Sequence, residues 1–214
     1  MKTVSRAAIG LALAMGVAVP LAVSPAMAAK EKKEKPAPAK VWQLSKEFRA
    51  AYVPADAAVK ANAPDAIAKI EAAEAVVKNG DEKYIAGTLR LTLGQATKNP
   101  KLQLDGIIAM IASGSAAPVD AHKLNMAAGQ LAYQAGNYTD AKKYLAEAIR
   151  LGNPGVDANL LLAEANFKMG TTLEGLTALD GAVKAEQAAG RKAPAEWYGR
   201  AAAMAYKAKM TGET

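Results

Sequence analysis

The sequence of 214 residues contains no cysteine, a single histidine and few aromatic side chains. Without cysteine, the chain can form no disulfide, thiolate metal site or cysteine nucleophile, and it carries no lipid-modified cysteine after a signal peptide. His122 alone cannot supply a catalytic triad or a two-histidine metal site unless another chain completes it. We therefore expect no catalytic residues, no metal and no cofactor, and a fold stabilised by packing.

The first 28 residues have the layout of a secretory signal peptide. Lys2 and Arg6 form a positive start, residues 7–19 form an uncharged apolar stretch, and Ala26-Met27-Ala28 has the small-x-small pattern of a cleavage site. This order predicts export of the protein, with cleavage after Ala28.

An uncleaved membrane anchor is the alternative interpretation of the same segment. Residues 7–29 carry no charge, and a spanning helix needs about 20 predominantly apolar residues. Pro20 and Pro25 argue against an anchor because proline breaks a helix before the span is complete. We expect no integral membrane span after cleavage.

The charge balance of the exported chain is modest. Cleavage leaves 186 residues and lowers the formal net charge from +7 to +5, because Lys2 and Arg6 are removed. Since the lysines are scattered among glutamates and export separates the chain from cellular DNA, we expect no nucleic-acid partner. The predicted compartment is the periplasm, with secretion to the medium as the alternative.

Residues 29–40 combine dense charge with Pro36 and Pro38 and contain no apolar residue larger than alanine or proline. Such a segment buries too little apolar surface to offset the entropy of ordering, so we predict a flexible charged linker. An electrostatic patch for anionic lipid or cell-wall polymer is the alternative, which Glu31 and Glu34 weaken by diluting the positive charge.

From Val41 onward, alanine, leucine, lysine and glutamate dominate, and proline and glycine interrupt the pattern at intervals. This composition predicts an all-α fold of eight or nine helices. The glycines are isolated, so no phosphate-binding glycine loop is present, and we expect them at helix ends. The prolines expected at helix starts are Pro64, Pro100, Pro118, Pro154 and Pro194.

Two segments deviate from this pattern. Leu89 to Leu93 alternates with the period of a strand, but Ile85, Leu89 and Leu93 also follow helical spacing, and a strand would have no partner nearby, so we predict a helix. Pro54 lies inside an otherwise helical stretch, where we expect a kink or a new helix start.

An internal repeat runs through the C-terminal half of the chain. Between His122 and Gly155, small residues and a glycine-asparagine-tyrosine turn recur at fixed places: Gly129, Gly136-Asn137-Tyr138, Ala141, Tyr144-Leu145, Ala148 and Asn153-Pro154. The spacing resembles the tetratricopeptide repeat, in which two helices approach through small residues. Gly136 is expected to end the first helix in the left-handed conformation.

The next repeat covers Val156 to Ala189, with Leu162-Ala163, Phe167, Gly170, Leu179 and Ala182 in equivalent places, although Gly175 stands where the family has alanine. Thr171 and Glu174 predict a capping box for its second helix. A last helix is expected from Ala195 to Met210. The resemblance implies an antiparallel helix-pair α-solenoid with degenerate pairs at 41–118 and repeats with a terminal helix at 119–210, which follow the signal peptide at 1–28 and the linker at 29–40.

In this family the first helix of each pair lines a concave binding surface. The resemblance therefore implies a partner-binding groove formed by Met126, Gln130, Tyr133, Gln134, Leu160, Glu164, Phe167, Lys168, Arg200, Tyr206 and Lys207. Tyr133, Phe167 and Tyr206 recur at matching positions, which gives either an aromatic stripe along the groove or rings that pack between repeats. Met126, Gln130 and Asp157 replace or oppose the residues of a carboxylate clamp and argue against one.

Three functions fit this sequence. The first is an exported module that binds a protein or peptide, such as a scaffold or adaptor in the cell envelope. The second is a small-ligand carrier or enzyme with a pocket between Trp42, Trp197 and the tyrosines. The third is a structural oligomer in which the groove receives the linker of a sister chain. We favour the first and predict that the protein is not an enzyme.

Overall fold

The computed structural model describes residues 40–152 and 155–211. This part of the chain is all-helical, as predicted. The predicted signal peptide, linker residues 29–39 and the predicted helix start at Pro154 lie outside it. The helices are α1 Lys46–Lys60, α2 Ala66–Glu74, α3 Gly80–Ala96, α4 Pro100–Ala112, α5 Pro118–Gln134, α6 Tyr138–Arg150, α7 Val156–Met169, α8 Thr172–Ala188 and α9 Ala195–Thr211.

Proline marks several helix starts, as predicted. Pro100 and Pro118 are the first residues of α4 and α5, and Pro194 directly precedes α9. Leu89 to Leu93 lies inside α3, so the helical interpretation is correct. The expected new start at Pro54 is wrong, because α1 runs through this residue without interruption. Both Pro54 and Ala50, whose carbonyl loses an N–H donor, are exposed to solvent.

Short polar side chains begin four of the helices. Ser45, Asn79, Asn99 and Asn137 each accept a hydrogen bond from the backbone N–H three residues further along. These bonds satisfy backbone donors that a helix start leaves without a partner. Gly136, expected in the left-handed conformation, has a φ of +75° and separates α5 from α6.

The predicted capping box at the start of α8 is wrong. Thr171 is the residue that precedes α8, but its side chain makes no hydrogen bond to the first turn. Its hydroxyl lies 2.8 Å from the side-chain oxygen of the buried Asn166. Thr171 therefore ties the loop to α7, and Glu174 is exposed, 4.0 Å from Lys142.

Neighbouring helices pack as pairs, α1 with α2, α3 with α4, α5 with α6 and α7 with α8. Each pair also contacts the next, through α3 on α1 and α2, α5 on α4, and α7 on α6, and α9 packs on α8. The core follows this order in four clusters of buried residues, each shared by consecutive helices. The described chain is thus an α-solenoid-like stack of helix pairs.

Glycines bring α3 and α4 into direct backbone contact. A Cβ added to Gly106 would lie 2.5 Å from the backbone nitrogen of Leu91 and 2.7 Å from the carbonyl oxygen of Gly87. Gly80 faces Ser113 and Gly94 faces Gln103, so the two helices are antiparallel. The expectation that glycines lie at helix ends is therefore wrong for Gly87 and Gly106, where the absent side chain allows close approach, whereas Gly80 is the first residue of α3.

The small-residue contact that the repeat pattern predicts is present between α5 and α6. A Cβ on Gly129 would lie 2.6 Å from the side chain of Leu145, and Ala141 and Ala148 are fully buried. In α7 and α8, Gly175 lies under Phe167 and Gly181 under Asn159, which makes this pair antiparallel as well. Within the described residues, no helix combines the length and the apolar character that a membrane span requires.

Candidate functional site

The predicted groove residues lie on α5, α7 and α9, the first helices of successive pairs. These helices share a register, because each turns one stripe toward the preceding helix. The residues of this stripe that pack with the preceding helix are Leu124, Ala128 and Leu131 in α5, Leu162 and Ala165 in α7, and Trp197 and Ala201 in α9. The buried Ala158 and the half-buried Met204 continue it by their spacing. A repeated register places equivalent residues of the three helices side by side.

Arg200 of α9 joins two predicted residues of α7. Its guanidinium lies 2.5 Å from the carboxylate of Glu164 and 5.6 Å from the centre of the Phe167 ring. An arginine that stacks on a ring and pairs with a carboxylate at the same time is held in orientation. Arg200 remains about half exposed, so the pair is accessible from solvent.

Tyr133 of α5 lies beside this ion pair. Its pKa is raised, first by burial of the phenol and then by the negative charge of Glu164, while the positive charge of Arg200 acts in the opposite direction. Its ring meets that of Tyr138 edge to face, with 5.4 Å between the centroids. The structure thus gathers Tyr133, Glu164, Phe167 and Arg200, which we name the first-helix cluster.

Phe167 belongs both to this cluster and to the core. Its ring atoms Cε1 and Cδ1 would lie 2.4 and 2.5 Å from a Cβ on Gly175 of α8. An alanine at position 175 would therefore collide with the ring, which explains why glycine stands there. Phe167 therefore fits both interpretations of the aromatic residues, as a ring in the groove and as a ring that packs between helices. Packing on α8 fixes the ring that Arg200 covers.

The other predicted residues are divided between packing and solvent. Met126 packs with Tyr133 in the cluster around Leu145, and Leu160 packs on Ala163 and Leu179. Both are half-buried, as is Gln130, whereas Gln134, Lys168 and Lys207 are exposed.

Tyr206 is not brought to this cluster. It is 68 % exposed, and its position is six residues from Arg200, about 120° around the helix. The repeat register matches Tyr206 with Phe167 and Tyr133, but among the described residues no helix lies beneath the Tyr206 ring as α8 lies beneath that of Phe167. Tyr206 therefore has the repeat position of Phe167 but does not belong to the first-helix cluster.

The structure does not form the pocket expected between the two tryptophans. Trp42 stacks on Tyr84, with ring centroids 5.1 Å apart, and contacts the cluster shared by α1, α2 and α3. Trp197 belongs to the cluster of α7, α8 and α9. The two indoles therefore pack in different parts of the stack.

The sequence interpretation missed a hydrogen-bonded site at the start of α3. Glu82 is fully buried, and its carboxylate accepts the backbone N–H groups of Ser45 and Lys78, each at 2.6 Å. Burial by itself raises the pKa of Glu82, but the hydrogen bonds from Ser45 and Lys78 outweigh it, and the pKa lies below the usual value. Glu82 is therefore a charged anchor for the segment before α1.

The neighbouring Asp81 completes this anchor. Its carboxylate accepts the N–H of Gln43 and the hydroxyl of Ser115 and lies 2.9 Å from the ammonium group of Lys40. The Gln43 N–H is the largest cause of a pKa lowered to about 2, followed by Lys40 and Ser115. We name the contacts of Asp81 and Glu82 with residues 40–45 the N-terminal clamp.

The clamp corrects the predicted extent of the linker. Lys40, assigned to the flexible segment, donates to the carbonyl of Ser115 at 2.7 Å and lies 4.3 Å from the centre of the Trp42 ring. Two acidic residues in a first helical turn are an ordinary dipole pattern, so no sequence signal distinguished this site.

Within the described residues, no group of three His, Asp or Glu side chains is arranged to hold a metal ion. His122 is half-buried in the first part of α5. Comparison with known proteins gave no match among family models, curated proteins or solved structures.

Proposed function

We propose that this protein is an exported scaffold of the tetratricopeptide type, which binds a protein or peptide partner in the cell envelope. The proposal is supported by the repeat spacing in the sequence together with the helix pairs α5–α6 and α7–α8, which stack in the expected order. Export is supported by the arrangement of charge, apolar stretch and small residues before Ala29.

The observation that carries the proposal is the first-helix cluster. Its members come from three helices and four separate positions in the sequence, and they combine an aromatic face, a half-exposed arginine and a phenol. Aromatic and arginine side chains held in place by their neighbours are the residues that most often dominate the energy of protein binding. A partner would contact the ring of Tyr133 and the guanidinium of Arg200.

Selection of a phage-displayed peptide library on the exported form of the chain tests this proposal. We expect enriched peptides that bind the wild-type protein, and binding at least about tenfold weaker for Arg200→Ala and for Phe167→Ala. Leu173→Ala is the matched control, because Leu173 is exposed on α8 and contributes no residue to the cluster. Peptides that bind all three variants as well as the wild type would refute the assignment of the site.

The compartment is tested separately. Expression in a Gram-negative host followed by mass measurement of the periplasmic fraction should give a chain that begins at Ala29. Recovery of the full-length chain from the membrane fraction would instead support the uncleaved anchor.

A further inference from the structure

Helix α9 has two unlike sides. One side carries Trp197, Ala201, Met204 and Ala208, which are buried or half-buried toward the preceding helices. A second side is exposed, and we name it the outer face of α9. It consists of Ala195, Tyr198, Ala202, Ala205 and Tyr206, with Tyr198 53 % and Tyr206 68 % exposed.

The repeated register shows what kind of surface this is. Leu162 and Ala165 of α7 pack in the cluster shared with α6, as Trp197 and Ala201 of α9 pack in the cluster shared with α8, and the buried Ala158 and half-buried Met204 continue the two stripes. In this register the outer face of α9 matches the side of α7 that carries Asn159, Ala163 and Phe167.

That side of α7 is covered by an antiparallel helix. Asn159 lies against Gly181 of α8 and Phe167 against Gly175, while the carbonyl of Ala163 would be 3.2 Å from a Cβ on Gly175. In α5 the equivalent Gly129 lies under Leu145 of α6. The outer face of α9 is thus built to receive an antiparallel helix, a place that no helix of the described chain occupies.

The order of residues on the outer face identifies the occupant. Tyr198 precedes Ala202 by four residues and Tyr206 follows it by four. A twofold axis at Ala202 would set the two copies of this alanine against each other and each Tyr198 beside a Tyr206 of the other chain. An interface between identical chains requires such self-complementarity, and alanine allows the close approach that antiparallel helices need.

The charges agree with this arrangement. Lys209 also lies on this face, near the end of α9 and seven residues from the axis, so the two copies of it would lie about 21 Å apart. Antiparallel packing also sets opposite ends of the helix dipoles together. We propose that two copies of the protein associate through the outer faces of α9, each serving as the missing second helix of the other.

This dimer does not depend on the proposed function. Arg200 projects from a different side of α9, about 120° from Tyr206, and the first-helix cluster stays accessible in both copies. Loss of peptide binding and loss of the dimer are therefore separate results.

Sedimentation equilibrium of the exported chain tests the proposal first. The wild type should show twice the monomer mass at micromolar concentrations, whereas Tyr198→Glu and Tyr206→Glu should show the monomer mass with unchanged helical circular dichroism. Leu173→Glu, on an exposed position of α8, is the control that should remain dimeric. A wild type that is monomeric up to about 100 μM, or that purifies only with a different protein bound to α9, would overturn the proposal.

Crosslinking tests the position of the axis. The chain has no cysteine, so Ala202→Cys introduces a single thiol, and its oxidation should give a covalent dimer because the paired positions would lie within disulfide distance. Thr177→Cys on the exposed side of α8 is the control. Ala202→Cys should crosslink at least about tenfold faster, and equal rates for the two variants would exclude the proposed axis.

Discussion

The pairs α3–α4 and α5–α6 have the same antiparallel arrangement but reach it in different ways. In α3–α4, glycines face backbone atoms of the other helix, with Gly87 against Gly106. In α5–α6, one glycine, Gly129, accommodates the side chain of Leu145. A helix-pair stack can therefore contain direct backbone contacts between its helices. A repeat consensus, which places glycine or alanine beneath a larger side chain, does not describe such contacts.

The two regions also differ in how loops are held. Residues 40–45 are fixed to α3 by the charged groups of Asp81 and Glu82. In the C-terminal region, the buried Asn125 and Asn166 donate to backbone carbonyls four residues earlier in their own helices, and Thr171 joins Asn166. These contacts make the first region sensitive to charge, whereas those of the second are neutral except for the Arg191–Glu186 ion pair, which joins α8 to the loop after it.

The largest effect on stability is expected from replacing one glycine by alanine in each helix pair. Gly106→Ala should lower the free energy of unfolding by about 3 kcal/mol, because its Cβ meets backbone atoms that cannot move independently. Gly129→Ala should cost about 1 to 2 kcal/mol, because the side chain of Leu145 can shift.

Urea denaturation measures both values. Gly199→Ala is the control, since a Cβ there meets nothing within 4 Å, and it should stabilise by about 0.5 to 1 kcal/mol. Equal costs for Gly106→Ala and Gly129→Ala would remove the distinction between the pairs.

The next effect concerns the N-terminal clamp. Glu82→Gln should lower the free energy of unfolding by about 2 kcal/mol. The NH2 group of the new amide cannot accept a hydrogen bond, so one of the two backbone N–H groups that the carboxylate accepted loses its acceptor. Trp42 fluorescence, measured in a Trp197→Phe background, should shift to the red as residues 40–45 detach. Gln187→Glu, an exposed change on α8, serves as a control for added charge and should leave both signals unchanged.

The pH dependence should separate the two regions. The folded pKa of Asp81 is about 2 and that of Glu82 is lowered, both below their values near 4 in the unfolded chain. Their stabilisation is therefore fully present above about pH 5 and is lost as the pH falls from about 4 toward 2. In Asp81→Asn this loss should be smaller, measured by thermal unfolding between pH 2 and 7, and an unchanged profile would contradict the role of Asp81.

The smallest effect is expected at the first-helix cluster. Arg200 and Glu164 form a partly exposed pair, so a double-mutant cycle with Arg200→Ala and Glu164→Gln should give a coupling below about 1 kcal/mol. The pKa of Tyr133 should fall in Glu164→Gln and rise in Arg200→Ala, followed by NMR of labelled tyrosine rings. A Tyr133 pKa that neither change moves would separate this residue from the ion pair.

Much of the fold could be predicted because proline and glycine mark the helix boundaries and small residues recur where helices meet. The rules are local at these positions. Proline is tolerated at a helix start, as at Pro100 and Pro118, and glycine readily adopts the left-handed conformation that ends a helix, as at Gly136. The glycines of α3 could not be placed from local rules, since Gly87 looks like a helix breaker until Gly106 is known to lie opposite.

The site was harder to predict because its geometry depends on which surfaces remain uncovered. Tyr133, Glu164, Phe167 and Arg200 were selected as first-helix residues that do not pack inward, and the structure brings them close together. Tyr206 has the same register, but its exposure depends on the absence of a covering helix among the described residues. The partners of Glu82 come from backbone groups, which leave no trace in residue type.

The contacts of Lys40 also determine how mechanical load would enter the molecule. Lys40 is attached to Asp81 and Ser115, residues far along the chain, before the chain enters α1. A pulling force applied ahead of Lys40 would pass directly into α3 and the end of α4, so that α1 and α2 are shielded until these two attachments rupture. When the protein is stretched by its N-terminal segment, the contacts of the Lys40 ammonium group should therefore break before any helix unfolds.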